Sequence, residues 1–155
     1  MKNEIETIIY SLREVLYGEP WYGQSFFSIV KDIDPAVVFK KPSEQHSLTD
    51  LLYHMITWSE FAENIFDETN SKTMKSFEDI DWRIIDPSIH SWEKGLELFK
   101  TINENIITQL LTKDDSFLEN PVDERKYNVR FLLNGLIQHH IYHLGQIAYL
   151  KKLLS

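Results

Sequence analysis

Three of the six histidines fall within five residues, in Gln138-His139-His140-Ile141-Tyr142-His143. On a helix, His139 and His143 stand at i, i+4, one turn apart on one face. Two imidazoles so placed can point ring nitrogens at a single cation, and two desolvated rings on an apolar face are costly without a shared partner. His140, at i, i+3 to His143, would replace His139 if the helix were rotated. A third ligand has to come from another segment. His54 is the best candidate, because it follows an apolar stripe at Leu51-His54-Trp58 spacing. On spacing alone His54 also fits a hydrogen-bonded histidine at the edge of a core. His46 precedes a capping serine and suits a loop or cap role. His90 falls where a helix begins and is expected to be solvated. Three neutral imidazoles leave one or more positions of a divalent ion open. An ion so held lowers the pKa of bound water toward ~7 or deprotonates a thiol, and imidazole suits zinc, nickel, copper and iron alike.

Other chemistries lack their residues. No histidine has Glu three positions before it, as carboxylate-bridged di-iron bundles require, and there is no H-E-x-x-H. Glycine-rich phosphate cradles and the G-x-S-x-G elbow are missing as well. The 155-residue chain has no cysteine, which excludes a disulfide scaffold, cysteine-ligated clusters and a cysteine nucleophile. A formal net charge of −8 without a Lys/Arg cluster argues against a nucleic-acid partner. No apolar run approaches the roughly 20 residues of a spanning helix, and Glu4, Glu6, Arg13 and Glu14 interrupt the apolar positions of the first segment, so it does not read as a signal peptide. Neither membrane association nor secretion is expected; a cytoplasmic location is.

The elements that must position these histidines are helical by apolar spacing. Ile5, Ile8, Ile9, Leu12, Val15 and Leu16 mark a first helix, broken at Gly18-Glu19-Pro20. Trp21 to Ile33 resumes at an angle, and Asp34-Pro35 opens a short turn. Ser47-Leu48-Thr49-Asp50 has the form of a capping box. It starts a second helix of about five turns, with Leu48, Leu51, Leu52, Met55, Ala62 and Phe66 on its stripe. Asp86-Pro87 offers an Asp cap and a first-turn Pro to a third helix carrying Ile89, Trp92, Leu96, Phe99, Ile106 and Leu110. Asn128 caps a fourth, with Leu132, Leu133, Leu136, Leu144, Ile147 and Leu150. The connections Glu68–Asp86 and Lys113–Lys126 are long enough to be functional or to hide short helices; Phe77 and Trp82 would tether the first. The expected fold is all-α, a four-helix bundle forming one domain over residues 1–155. Gly145 is expected to permit close helix approach near the site, and Gln146 to hydrogen-bond a ligand ring. The four tryptophans suit core or interface anchors better than a stacking platform. Trp58, at i+4 from His54, can also wall a substrate pocket.

The run from Gly135 to Ile147, with its H-x-x-x-H-x-G-Q-I pattern, closely resembles the last-helix signature of the DinB/YfiT-like proteins. His46-Ser47-Leu48-Thr49-Asp50-Leu51-Leu52-Tyr53-His54-Met55 looks like that family's second-helix signature, and Gly18-Glu19-Pro20-Trp21-Tyr22-Gly23 resembles a turn found in one branch of it. The resemblance spans most of the chain. It implies a four-helix bundle, usually a homodimer, with a divalent metal, zinc or nickel first, held by His54, His139 and His143. His140 stands where the family often has an acidic or other polar residue, which leaves open a fourth ligand or an altered outer shell. The resemblance also implies a transferase using a low-molecular-weight thiol such as bacillithiol or mycothiol, or a hydrolase, acting on a small-molecule substrate. The rival readings are a non-catalytic metal-binding or stress-related bundle, and a helical bundle with no metal. Tyr53 and Tyr142 adjoin ligand positions, yet at one residue's remove each points about 100° away on its helix.

Overall fold

A computed structural model describes residues 3–69 and 71–155. They are all-helical: α1 (Glu4–Tyr17), α2 (Phe26–Val30), α3 (Leu48–Glu63), α4 (Met74–Glu78), α5 (Trp92–Leu110) and α6 (Val129–Leu154), with short 3-10 turns between them. Among the described residues there is no strand, only an isolated bridge between Pro121 and Asn128. No helix among them is long and apolar enough to cross a membrane.

The predicted caps are in place. Ser47 Oγ accepts from the Asp50 N–H at 3.0 Å while Asp50 Oδ2 accepts from the Ser47 N–H at 2.8 Å, completing the capping box. Asn128 Oδ1 accepts from the Phe131 N–H at the start of α6. One cap is long-range: Asp115, in the connection before α6, accepts from the Glu4 and Ile5 N–H groups and so closes the start of α1. Ile5, Ile8, Ile9, Leu12, Val15 and Leu16 of α1 are all buried, as their spacing requires.

Helix α3 is central. It packs on α5 and α6, with α1 against α6 and α5. Every residue from Leu48 to Thr57 is buried, well beyond one stripe. The polar ones are satisfied locally: Thr57 and Ser59 bond the carbonyls of Tyr53 and Met55, and Thr49 bonds that of Val38. His54 therefore lies inside the protein rather than at its edge.

Four expectations are corrected. Of Trp21–Ile33, only Phe26–Val30 is α-helical, and Trp21 is wholly exposed. Helix α5 starts at Ser91, whose Oγ accepts from the Lys94 N–H. Asp86 instead forms a local turn with Ser88, so Pro87 and the exposed Ile89 lie outside the helix. His90 is half-buried rather than solvated, its Nδ1 accepting from the Asp86 N–H and its ring edge-on to Tyr53. Finally, Gly145 is exposed, and a Cβ there would meet nothing within 4 Å, so it mediates no close approach.

The close approach falls at Gly95, where α5 presses on α3 and a Cβ would lie 2.9 Å from both Leu52 Cδ2 and Tyr53 Cε2. Leu52 is fully buried and the Tyr53 hydroxyl is tied to the Ser91 carbonyl, so neither yields freely. Gly95→Ala is therefore expected to destabilise the protein by about 1–2 kcal/mol, overpacking outweighing the gain in helix propensity. Urea unfolding measures this, and a more stable variant would contradict it.

Candidate metal centre

Helices α3 and α6 bring His54, His139 and His143 together. His54 Nε2 lies 3.0 Å from His143 Nε2 and 3.0 Å from His139 Nε2. His139 and His143 lie one turn apart and edge to face, ring centroids 4.4 Å from each other, neighbours as the i, i+4 spacing predicts.

The protons on these rings are fixed by their outer partners. His54 Nδ1 is 2.5 Å from Asp81 Oδ1, and His143 Nδ1 is 2.6 Å from Gln146 Oε1. Carboxylate and amide oxygens only accept, so each Nδ1 carries the hydrogen and each Nε2 presents a lone pair. The 3.0 Å contact between those two Nε2 atoms then has no hydrogen between neutral rings. Lone pairs facing one another at this distance repel, and a shared cation removes the repulsion. Two nitrogens bound to one zinc at 2.0–2.1 Å would sit roughly 2.8–3.4 Å apart for bond angles from square to tetrahedral. The donor set and spacing thus fit a divalent ion that accepts imidazole nitrogen.

Burial acts in the same direction. It lowers the pKa of His54 against the opposing pull of Asp81, and it lowers that of His143. For His139 burial, reinforced by the neighbouring histidines, brings the value down to about 3. All three rings are held neutral, the form that binds a metal. His139 differs from its partners in one respect: its Nδ1 is buried without a hydrogen-bond partner.

His140 belongs to the core, not to the cluster. It is fully buried, and its Nε2 is 2.8 Å from Asn103 Oδ1 on α5. The Asn103 amide nitrogen in turn donates to the Phe99 carbonyl, which fixes its oxygen as the acceptor and His140 Nε2–H as the donor. Burial again lowers the pKa, to about 3. The choice between His139 and His140 is thereby resolved in favour of His139.

The connection between α3 and α5 supplies what spacing did not reveal. Asp81 Oδ1 accepts from the Trp58 indole N–H at 2.8 Å as well as from His54. Trp82 stacks on His54, with centroids 3.8 Å apart and planes within 6°, and also on His46 at 3.9 Å. Trp82 is thus a stacking partner, not a core anchor, and His46 contributes one exposed face of that stack. Arg83 locks the segment onto α3 through the Thr57 hydroxyl and the Tyr53 ring. The long connection was the sole signal for Asp81, which stands at no helical spacing from any histidine. Asp81→Ala is expected to weaken metal affinity by about 10–100-fold with the three ligands intact. Competition titration with a chromogenic chelator reads this, and an unchanged affinity would remove Asp81 from the site.

A cleft of about 160 Å³ adjoins His139, between Trp58 and Phe61 of α3 and Leu132, Gly135 and Leu136 of α6. Tyr142 is exposed with its ring edge-on to His143, and the Tyr53 hydroxyl is engaged by the Ser91 carbonyl. No protein-family model matches this sequence, and no curated protein matches it.

Proposed function

We propose that this chain is a metal-dependent enzyme, a four-helix bundle of the DinB/YfiT-like kind in which His54, His139 and His143 hold a divalent ion. Zinc and nickel are the first choices by the resemblance, and the imidazole ligands suit both. The observation that carries the reading is the convergence of three imidazoles, with His54 Nε2 3.0 Å from the Nε2 atoms of both His139 and His143 and with the Nδ1 atoms of His54 and His143 engaged by acceptors. When bound, such an ion supplies acidification of a coordinated thiol or water.

The surrounding residues favour thiol chemistry over hydrolysis. Asp81 Oδ1 is shared by His54 and Trp58, and the Tyr53 hydroxyl bonds a backbone carbonyl, so Asp81 serves the ligand ring and Tyr53 the contact with α5. A low-molecular-weight thiol needs little help from a protein base, since its own pKa of about 8.5 lies far below that of water. The chain has no cysteine, so the sulfur nucleophile comes from a small-molecule substrate. Asp81 and Gln146 orient two ligand rings, and Trp82 covers the face of His54.

The test is kinetic. Metal-loaded protein is offered bacillithiol, mycothiol and simpler thiols with monochlorobimane, and separately ester substrates. Metal-dependent conjugation supports the transferase reading, and metal-dependent ester cleavage the hydrolase reading. Stoichiometric metal with no turnover in either panel leaves a binding protein.

A further inference from the structure

The cleft beside His139 has a lining without charged side chains, and one of its walls is a ring of the three-histidine cluster. Its volume of about 160 Å³ is close to the roughly 150 Å³ in which an apolar cavity accepts a benzene ring. It is smaller than the roughly 300–1,000 Å³ that encloses a whole drug-sized ligand. The cleft therefore suits one group of a molecule, with the remainder outside it.

Gly135 keeps this space open. It lies in the interior of α6, where glycine is a net cost in backbone entropy. Its φ is not positive, and a Cβ there would meet nothing within 4 Å. Neither backbone conformation nor helix packing explains a glycine at this position. It is one turn before His139 on the same helical face, so any larger side chain would project into the cleft next to the metal-ligating ring.

We propose that the cleft is a specificity subsite that takes a single aromatic ring of a substrate bound at the three-histidine centre, with Gly135 setting its size. The inference rests on the function proposed above in placing the substrate's reacting group at that centre. The apolar recognition itself does not require the ion.

Two arms separate these parts. In the first, toluene is titrated into the metal-free protein and followed by amide and indole N–H chemical shifts. Saturable shifts confined to Trp58, Phe61, Tyr127 and residues 131–139 are expected in the wild type, diminished in Gly135→Ala and lost in Gly135→Leu. The Ala variant carries the comparison if the Leu variant misfolds. Absence of such shifts in the wild type overturns the subsite. In the second arm, zinc-loaded protein binds benzohydroxamate and acetohydroxamate, which share a chelating head and differ in the ring. Calorimetry is expected to give at least about tenfold tighter binding of the ring-bearing probe, a minimum for burial of one apolar ring. Gly135→Leu should bring the two to parity with zinc content unchanged. Equal wild-type affinities overturn the subsite while leaving the metal centre standing. Failure to bind zinc at all overturns the proposed function, and the toluene arm then decides the subsite alone.

Discussion

His139→Ala is expected to strip the protein of tightly bound metal and leave it folded, whereas His140→Ala should do the reverse. Removal of an outer-shell partner already costs about 10–100-fold in affinity, so loss of one of three ligand rings should exceed 100-fold. The same change removes a half-buried imidazole whose Nδ1 has no partner, so the metal-free variant should lose little stability. His140 sits in the core, hydrogen-bonded to Asn103 and edge-on to Phe99. Its truncation leaves a cavity and an unpaired amide oxygen, a loss of about 2–4 kcal/mol, while the three ligand rings keep their places. Elemental analysis and urea unfolding of both variants settle the matter. Loss of metal in His140→Ala with retention in His139→Ala would reverse the assignment, and retention in both would place the metal outside the three-histidine cluster.

That pair also shows where the sequence was readable. The His139/His143 spacing is a local property of one helix and transfers directly to the structure. Which of His139 and His140 faces the core depends on the rotation of α6, and the apolar series contains the answer. Leu133, Leu136, Leu144 and Ile147 are buried and leave a gap of two turns, which His140 fills at i+4 from Leu136 and i−4 from Leu144. Caps formed by contiguous residues, at Ser47 and Asn128, were legible for the same reason. At Asp86-Pro87 two capping signals competed five residues apart. The later one prevailed because it starts α5 at Trp92, which is buried, and leaves Ile89 in solvent. Asp81 and Trp82 were illegible as site residues, since only the packing of the 68–86 connection across α3 brings them to His54. The burial of α3 on all sides has a similar origin. Its outer face is covered by segments distant in sequence, as the bonds from Thr49 to Val38 and from Arg83 to Thr57 show.

The metal-free protein is expected to lose stability steeply between pH 6.5 and 5. Unfolded histidines titrate near pH 6.5. In the folded state burial holds His139 and His140 near 3, and His54 and His143 are lowered as well. Below pH 6.5 the unfolded chain therefore binds protons that the folded chain refuses, so unfolding becomes more favourable as the pH falls. A buried histidine that stays neutral contributes a slope of up to about 1.4 kcal/mol per pH unit, and the sum over His139 and His140 at pH 5 is about 4 kcal/mol. That is a large share of the 5–15 kcal/mol typical of a domain. The result depends only on the folded values lying well below 5. One carboxyl works against the histidines: burial raises the pKa of Glu60, so the folded chain takes up that proton at higher pH than the unfolded chain and offsets part of the loss. Asp50 acts outside the window: its burial raises its pKa, but the Ser47 N–H and Lys41 carry it below the usual carboxylate range, so its stabilisation is lost only as the pH falls below about 3.9. Urea unfolding in chelator at pH 7, 6 and 5 reads the slope, and His139→Ala should reduce it by nearly one proton. A stability that is flat from pH 7 to 5 would mean that the rings are charged or solvated. Saturating zinc should raise stability at pH 7 and steepen its loss on acidification, because the ion and the protons compete for the same three Nε2 lone pairs.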